Sequence, residues 1–466
     1  MVFSSIPFLY YFLPGVIIFY IAAPKLLKNT VLLLFSLLFY AWGEPKYVFL
    51  MIATILANYV LGILIEQFRG KPLSKVFMGV SAVFCLGFLA YFKYADFFIE
   101  NFNKVTGLSV KLLNIALPIG ISFYTFQILS YTIDVYRGDV LAQRNPITLA
   151  TYVTLFPQLI AGPIVRYIDI ERDLVSRQHG FEKTAVGIRR FIFGLSKKVL
   201  LANTLGELCE AFQASDEKSV LFYWLFVFAY MLQVYFDFSG YSDMAIGLGK
   251  IFGFEFLENF NYPFISRSIT EFWRRWHISL GTWFRNYVYI PLGGNRVKKI
   301  RVLFNIFTVW MLTGFWHGAE WNFIVWGLYF GILLTFEKFF LHKYIQKSKI
   351  IGHIYLLFLV SISFAIFSAP TMTDALSYIG GMFGAGELPL SSGAFLYNIK
   401  SYGFVMILSI FAATPIPKLV VERLRQNHRI QTFLSIIEIP VLVGLLLSAT
   451  AYLADGAFNP FLYFRF

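Results

Sequence analysis

Long uncharged stretches recur from one end of the chain to the other, and they limit its fold more than any motif does. Each run holds roughly 17–25 mostly apolar residues, the length that an α-helix needs to cross the hydrocarbon core of a bilayer. Only 14% of the 466 residues are charged and 58% are hydrophobic, whereas a typical soluble domain has about 25% charged residues. So little charge cannot solvate the surfaces of soluble domains. The sequence therefore predicts an all-α polytopic membrane protein.

The number of spans is expected to lie at roughly ten to thirteen, because some of the runs are short or carry charge. No break in composition and no internal repeat divides the chain, so we expect a single membrane domain over residues 1–466. The candidate spans are 7–23, 30–43, 46–65, 76–93, 115–136, 148–165, 185–204, 219–236, 301–317, 320–338, 350–369, 402–418 and 433–452.

The chain carries 39 Lys and Arg against 26 Asp and Glu, a net charge of +13. A basic face on a soluble protein would suggest nucleic-acid binding. Here the cations instead cluster at the ends of apolar runs, where cytoplasmic loops carry them, so nucleic acid is not an expected partner and membrane lipid is. Placing the basic turns, including those at 338–349 and 418–429, in the cytoplasm puts both termini outside.

The stretch from 252 to 301 is neither a clean span nor a clean loop, because cations and aromatic residues alternate in it. Such an amphipathic segment lies in the membrane interface or re-enters the membrane. Irregular backbone at that depth is tolerated only against protein or a water-filled cavity, so we expect a cavity beside it. Glu271 stands four residues before Arg275, the spacing of a helical ion pair. A continuous helix here would carry on one face Trp273, His277, Leu280 and Phe284.

His317 is the sharpest functional candidate among the apolar runs, because an ionisable residue inside a span is expensive and usually functional. Gly314 and Gly318 flank it, and glycine there would leave the imidazole approachable. A buried histidine that bonds a neighbouring helix, with glycines that serve helix packing, explains the same pattern equally well. The pattern alone leaves both interpretations open.

Other polar groups also allow two interpretations. His277, beside Arg274 and Arg275, is either catalytic or an interfacial residue next to a headgroup patch. A third set of polar residues consists of Asp237, Ser239, Tyr241 and Asp243. It predicts either a turn or the lining of a polar substrate path. The sequence contains no recognisable set of metal ligands.

Seven blocks of sequence resemble the membrane-bound O-acyltransferase family, and within it the bacterial branch typified by the alginate O-acetyltransferase membrane subunit. One short block would be weak evidence, but many in order along nearly the whole chain are not expected by chance. They are MVFSSIPFLYYFLP at the start, LPIGISFYTFQILSYTIDVYRG at 117–138, LFPQLIAGPIVR at 155–166, YFDFSGYSDMAIGLG at 235–249, FWRRWHISLGTWFRNYVYIPLGG at 272–294, GFWHGAEWNFIVWG at 314–327 and FNPFLYFRF at the end.

The resemblance implies a bundle of tilted spans and short in-plane or re-entrant helices around a tunnel that joins the two membrane faces. It also implies that His317 is the intramembrane catalytic histidine and that His277 is the second motif residue. Acyl transfer from a thioester requires the attacking hydroxyl to lose a proton, which a neutral imidazole with its ordinary pKa of ~6.5 accepts. We expect His317 to be this general base, while His277 positions it, binds the thioester carbonyl or stabilises the oxyanion.

The resemblance further implies that an acetyl group moves from a cytosolic thioester, acetyl-CoA or an acyl-carrier protein, across a bacterial cell membrane to an exported polysaccharide such as alginate. It predicts neither a bound cofactor nor a metal. D-alanyl or peptidoglycan acyl transfer stays open, as does a transporter or channel with a His/Asp proton relay. No large soluble segment is present to bind a glycan, so we expect an extracytoplasmic acetyltransferase or polysaccharide-modifying partner. Contacts to donor or substrate are expected from Arg274, Arg275, Arg285, Trp273 and Trp316.

The aromatic C-terminal tail, FNPFLYFRF, holds a single phenol at Tyr463. In the predicted topology this tail lies outside. Tyr463 could then accept the acyl group at the outer mouth of a tunnel and pass it on. A Tyr/Phe anchor in the membrane interface is the alternative explanation.

Overall fold

The computed structural model describes residues 2–160, 162–345 and 347–456, which form helices and loops without a β-strand. The predicted all-α fold class is therefore confirmed. Two compact units divide the chain. Unit 1 contains residues up to 191 together with 244–257, and unit 2 contains 192–243 together with the residues from 258 onward. That the whole chain is one domain stays a prediction.

Unit 1 is built from the first ten α-helices, of which the last runs on past residue 191. Aromatic rings form part of its core: Phe12 lies 5.5 Å from both Phe39 and Phe156, measured between ring centroids. The helices are α1 Leu13–Ala22, α2 Lys28–Gly43, α3 Tyr47–Gln67, α4 Pro72–Leu89, α5 Ala95–Thr106, α6 Ile121–Arg137, α7 Pro146–Thr154, α8 Phe156–Leu159, α9 Tyr167–Val175 and α10 Phe181–Ser196.

Unit 2 holds both candidate histidines and the remaining helices, except that the helix Val220–Ile251 continues into unit 1 from residue 244. Its core is a cluster of buried aromatic and aliphatic side chains, among them Phe272, Trp276 and Trp326. The helices are α11 Asn203–Ala214, α12 Val220–Ile251, α13 Ile269–Arg275, α14 Ile278–Phe284, α15 Lys299–His317, α16 Trp321–Phe336, α17 His342–Ile345, α18 Lys349–Ser368, α19 Met372–Met382, α20 Gly393–Ala412, α21 Ile416–Leu424 and α22 His428–Ala454.

Among the described residues, eight helical stretches are long and apolar enough to span a membrane, and Phe8–Ala22 is a shorter apolar helix. The chain is thus a multi-pass membrane protein, with fewer clear spans than the roughly ten to thirteen expected from run length. Burial differs sharply among the spans, since 78% of the apolar window in α12 is buried and none of that in α22. Lipid solvates apolar side chains on the outer helices, so these helices need no protein cover.

Predicted spans are absent where the helix is interrupted or where the apolar run carries charged residues. The run at 148–165 breaks between α7 and α8 because Pro157 lacks an N–H and opens the second helix. The run at 115–136 becomes helical only after Gly120, which has φ 76°. Cationic residues lie within two others, 185–204 and 301–317. For these reasons the described residues contain fewer long apolar helices than the sequence contains apolar runs.

Candidate active site

A chamber of about 840 Å³ opens within unit 2. Residues from α13, α14, the π-helical turn Arg285–Tyr289, α15 and the end of α16 line it. The cavity expected beside the segment 252–301 is therefore present. About half of the residues on its wall are apolar or aromatic, and the others are polar or charged, among them Glu337.

His277 lies at a break between two short helices, not inside a helix. Its backbone is left-handed, with φ 47° and ψ 54°, and Trp276 before it is extended. The neighbouring segment supplies replacement hydrogen bonds, because Ile278 N donates to Asn259 O at 3.0 Å and Asn261 N donates to Arg275 O at 2.9 Å. The prediction of one continuous helix was wrong, although all four residues predicted to share its face line the chamber.

The His277 ring is 1% exposed to solvent but lines the chamber. Its Nδ1 lies 3.2 Å from Asn259 Oδ1, and its Nε2 has no hydrogen-bond partner among the described residues. The Phe238 ring packs edge-on against it, with centroids 4.6 Å apart. Burial lowers the pKa of His277 to about 3, so the imidazole is neutral at physiological pH.

His317, the last residue of α15, lies in much tighter packing. Its ring contacts Trp326 at 5.1 Å and Phe367 at 5.5 Å between centroids. The cavity that it lines has a volume of about 20 Å³, enough for about one water molecule. His317 is thus buried beside a small aromatic cavity, and it does not line the chamber.

Two tryptophans connect the surroundings of the histidines. Trp316 contacts both rings, with centroids 6.1 Å from His277 and 5.0 Å from His317. Trp273 lines both the chamber and the small cavity, and its indole N–H has no partner among the described residues. The two predicted histidines therefore belong to one aromatic neighbourhood, with Trp273 between the two spaces.

The glycines beside His317 serve close packing. A Cβ on Gly314 would lie 2.3 Å from the backbone oxygen of Phe323, and one on Gly318 would lie 2.1 Å from the Phe323 ring. Helix α16 needs this space, as Gly327 of that helix approaches Gly314 in turn. Of the two interpretations of these glycines, the structure supports helix packing.

The predicted cations separate into two groups. Arg274 and Arg285 line the chamber. Arg275 does not line it, because its guanidinium pairs with Glu271 at 3.0 Å, the ion pair that the spacing predicted. Lys338 also lines the chamber, which sequence analysis missed because this lysine resembled one of several in a basic loop. The chamber therefore has three cations on its wall.

The polar set at 237–243 forms no turn, since all four residues lie inside α12. Asp237 pairs with Lys198 at 2.6 Å, with both side chains nearly fully buried. Asp243 pairs with Lys197 at 2.6 Å. None of the four, including Ser239 and Tyr241, is among the residues that line the chamber. Buried Lys198 and partly exposed Lys197 each pair with one of the two carboxylates, pairings that the sequence pattern did not reveal.

Two important residues carried no signal in the sequence. Asn259 is 1% exposed and contacts the His277 ring, yet it lies in an ordinary loop sequence, ENFNYPF. Glu337 is 2% exposed and binds the first residues of α13. Both act through contacts far apart in sequence, which a single sequence cannot reveal. Tyr463 lies outside the described residues.

Several known proteins are similar to this chain over half of its length or more. The model of the membrane-bound O-acyltransferase family matches residues 141–368. The probable alginate O-acetylase of Pseudomonas putida is 39% identical over 487 residues, covering 100% of both chains. The peptidoglycan O-acetyltransferase of Helicobacter pylori is 33% identical over 84% of this chain and 81% of that protein. The teichoic acid D-alanyltransferase of Bacillus subtilis is 31% identical over 50% of this chain and 61% of that protein.

Proposed function

This chain belongs to the membrane-bound O-acyltransferase family, and from that premise we propose that it transfers an acetyl group from a cytosolic thioester to a hydroxyl of exported alginate. The resemblance found in the sequence is thereby confirmed, and the chain is a multi-pass membrane O-acyltransferase. Full-length similarity to a probable alginate O-acetylase supports acetyl as the group and alginate as the acceptor. The peptidoglycan and teichoic acid relatives support the alternatives less, because their identity or coverage is lower.

The chamber at His277 is the observation that carries this proposal. A thioester donor, whether acetyl-CoA or an acyl-carrier protein, bears phosphate on a long flexible arm. Arg274, Arg285 and Lys338 on the chamber wall supply the positive charge that phosphate requires. A buried neutral imidazole on the same wall is suited to a reaction in which a hydroxyl must lose its proton. The donor is substrate, and the proposal includes no resident cofactor or metal.

We assign the role of general base to His317 and place His277 beside it on the chamber side. A base of this kind contributes typically ~10²–10⁴-fold to the rate. His317 lines a cavity of only about 20 Å³, so a substrate in the chamber reaches it only when Trp273, which lines both spaces, moves. Trp273 and Trp316 are therefore proposed to contact the substrate.

A proton-relay transporter fits the buried groups poorly. Such a relay needs carboxylates that exchange protons, whereas Asp237 and Asp243 each form an ion pair with a lysine at 2.6 Å. Family membership and these pairings both favour acyl transfer.

We place the protein in the bacterial inner membrane with both termini outside, as the distribution of cations indicates. An extracytoplasmic acetyltransferase or polysaccharide-modifying protein is its proposed partner, because transfer to a polymer needs a glycan-binding surface. Reconstituting the chain in vesicles and supplying acetyl-CoA or an acetylated carrier protein to the cytoplasmic side would identify the donor.

Substitution of His317 tests the proposed function. We expect His317→Ala to abolish polysaccharide acetylation in cells while the amount of protein in the membrane is unchanged. His428→Ala is the matched control, because His428 is an exposed histidine at the start of α22. Normal acetylation by the His317→Ala variant would disprove the catalytic assignment.

Tyr463 stays a prediction, as it lies outside the described residues. In the shuttle hypothesis its phenol accepts the acetyl group before transfer to the partner. Replacing Tyr463 by Phe removes only the hydroxyl and keeps an aromatic anchor. Loss of acetylation would support the shuttle, and full acetylation would support the anchor.

A further inference from the structure

The buried side chain of Asn259 connects the segment that precedes α13 to the helix break at His277. Its Oδ1 receives the Ser279 backbone N–H at 3.3 Å and the Ser279 hydroxyl at 2.9 Å, and it lies 3.2 Å from His277 Nδ1. Its Nδ2 donates to Ser242 Oγ at 3.1 Å. All of these groups lie in unit 2, and both Asn259 and His277 are 1% exposed.

These contacts determine which way the Asn259 amide faces. The backbone N–H of Ser279 is always a donor, so the Asn259 atom that faces it must be the oxygen. That same oxygen faces His277 Nδ1. Because a carbonyl oxygen only accepts, Nδ1 must carry the proton of the neutral imidazole. The other ring nitrogen, Nε2, is then left with a lone pair.

We propose that Asn259 is a positioning residue that holds His277 in the tautomer protonated at Nδ1, so that Nε2 accepts a hydrogen bond from a substrate hydroxyl in the chamber. Here the inference rests on the proposed function, since the polysaccharide acceptor supplies the hydroxyl. It excludes two of the three roles considered for His277, because an unprotonated Nε2 cannot donate to a thioester carbonyl or to an oxyanion. The hydroxyl that donates to Nε2 is a neighbour of the attacking hydroxyl on the sugar, so the attacking hydroxyl keeps its own proton for transfer to His317.

The surroundings of Nε2 agree with this assignment. Nε2 has no partner among the described residues, so a ligand group in the chamber can occupy its lone pair. Burial lowers the pKa of His277, which keeps the ring neutral, so no proton occupies the lone pair of Nε2.

Nitrogen-15 NMR on the full chain, labelled at histidine and reconstituted in lipid nanodiscs, tests the tautomer directly. Comparison with His277→Gln assigns the His277 signals among those of the six histidines. At neutral pH we expect a protonated Nδ1 and an unprotonated Nε2. The leucine in Asn259→Leu offers no acceptor to His277 Nδ1. In this variant we expect the fraction of His277 protonated at Nδ1 to fall and the kcat of acetyl transfer to drop by at least tenfold.

Ser242→Ala is the matched control, since it removes the partner of Asn259 Nδ2 but leaves the Oδ1 contacts. Its His277 spectrum should match that of the unsubstituted chain. A proton on Nε2 at neutral pH, or an unchanged tautomer in Asn259→Leu, would overturn the inference even if acetyl transfer proceeds. If the unsubstituted chain showed the expected tautomer but transferred no acetyl group, this result would instead contradict the proposed function. Because the unsubstituted chain gives the decisive spectrum, the test does not depend on the folding of Asn259→Leu.

Discussion

The two buried histidines differ in what surrounds them. His277 faces a chamber of about 840 Å³ with one ring nitrogen bound to Asn259, whereas His317 is enclosed by aromatic rings beside a cavity of about 20 Å³. The first lines a space large enough for a substrate, whereas the second lines a space large enough for about one water molecule. The sequence identified both residues as candidates, but it could not predict this difference, which arises from packing between helices distant in the chain.

Replacing His277 by Asn or by Gln should distinguish the roles of its two ring nitrogens. The Asn amide can take the place of Nδ1 and keep the contact with Asn259, but nothing then occupies the position of Nε2. We expect His277→Asn to keep its fold and lose roughly 10–100-fold in kcat, the effect of about 1–3 kcal/mol from one lost hydrogen bond. His277→Gln, which can place an amide oxygen near the Nε2 position, should retain more activity. Equal activity of both variants would contradict the role assigned to Nε2.

The low pKa of His277 should make folding stability depend on pH. Its folded value of about 3 lies below the ordinary ~6.5 of an unfolded chain, so the unfolded state binds the proton first as pH falls. Stability is therefore fully present above about pH 6.5 and decreases below it. Between pH 7.5 and 5 the loss is roughly 2 kcal/mol for this residue.

Thermal unfolding of the protein in detergent, measured across this pH range, checks the prediction. The His277→Gln variant is the reference, because it retains the other histidines and lacks only this one. Its unfolding temperature should fall less between pH 7.5 and 5 than that of the unsubstituted chain. Parallel pH dependence of the two proteins would show that His277 is not neutral in the folded state.

At the scale of elements, the junction of α13 and α14 shows the limit of pattern analysis. Helical spacing correctly predicted that Trp273, His277 and Leu280 face one cavity, but it predicted a continuous helix. The break depends on hydrogen bonds that Ile278 N and Ser279 N donate to the backbone and side-chain oxygens of Asn259. A periodic sequence pattern contains no information about a hydrogen-bond partner from another segment. The residues that face the cavity could therefore be predicted, and the helix break could not.

Glu337 should be needed to hold α13 in place. Its carboxylate accepts hydrogen bonds from Ile269 N at 2.5 Å, Thr270 N at 3.0 Å and Thr270 Oγ1 at 2.8 Å. Glu337→Ala leaves these buried donors unpaired, so we expect a loss of roughly 2 kcal/mol or more in stability together with reduced activity. Glu337→Gln keeps one acceptor oxygen and should be milder. As a control, Glu271→Gln, on a partly exposed side chain of the same helix, should change the unfolding temperature little.

The contact of α15 with α16 should tolerate no added methyl group at Gly327. A Cβ on Gly327 would lie 2.3 Å from the backbone oxygen of Trp310, and backbone cannot give way as a flexible side chain does. We expect Gly327→Ala to destabilise the protein by roughly 1–3 kcal/mol and to disturb acetylation, since α15 ends at His317. Gly331→Ala is the control, because its Cβ would meet side-chain atoms of Phe307 at 3.3 Å and of Trp310 at 3.5 Å and no backbone atom at such close range. Equal melting temperatures for the two variants would contradict this explanation.

For the whole molecule, composition alone predicted the membrane class, and family resemblance predicted the chemistry. The described structure also explains why the span number could not be counted from the sequence. A helix break near a proline, or cations inside an apolar run, removes a run from the helices that are long and apolar enough to span a membrane. Topology can be predicted separately, because it depends on where cations lie relative to the candidate spans.

The C-terminal spans give the clearest topology test. Lys338, Lys343, Lys347 and Lys349 lie on one side of α18, and residues 369–392 on its other side contain no Lys or Arg. The positive-inside rule therefore places the first loop in the cytoplasm and the second outside. Single cysteines at Lys347→Cys and Ser391→Cys can report this, because the native Cys85 and Cys209 are both buried. We expect a membrane-impermeant maleimide to label Ser391→Cys in intact spheroplasts and Lys347→Cys only after permeabilisation, whereas the reverse pattern would place the C-terminus inside.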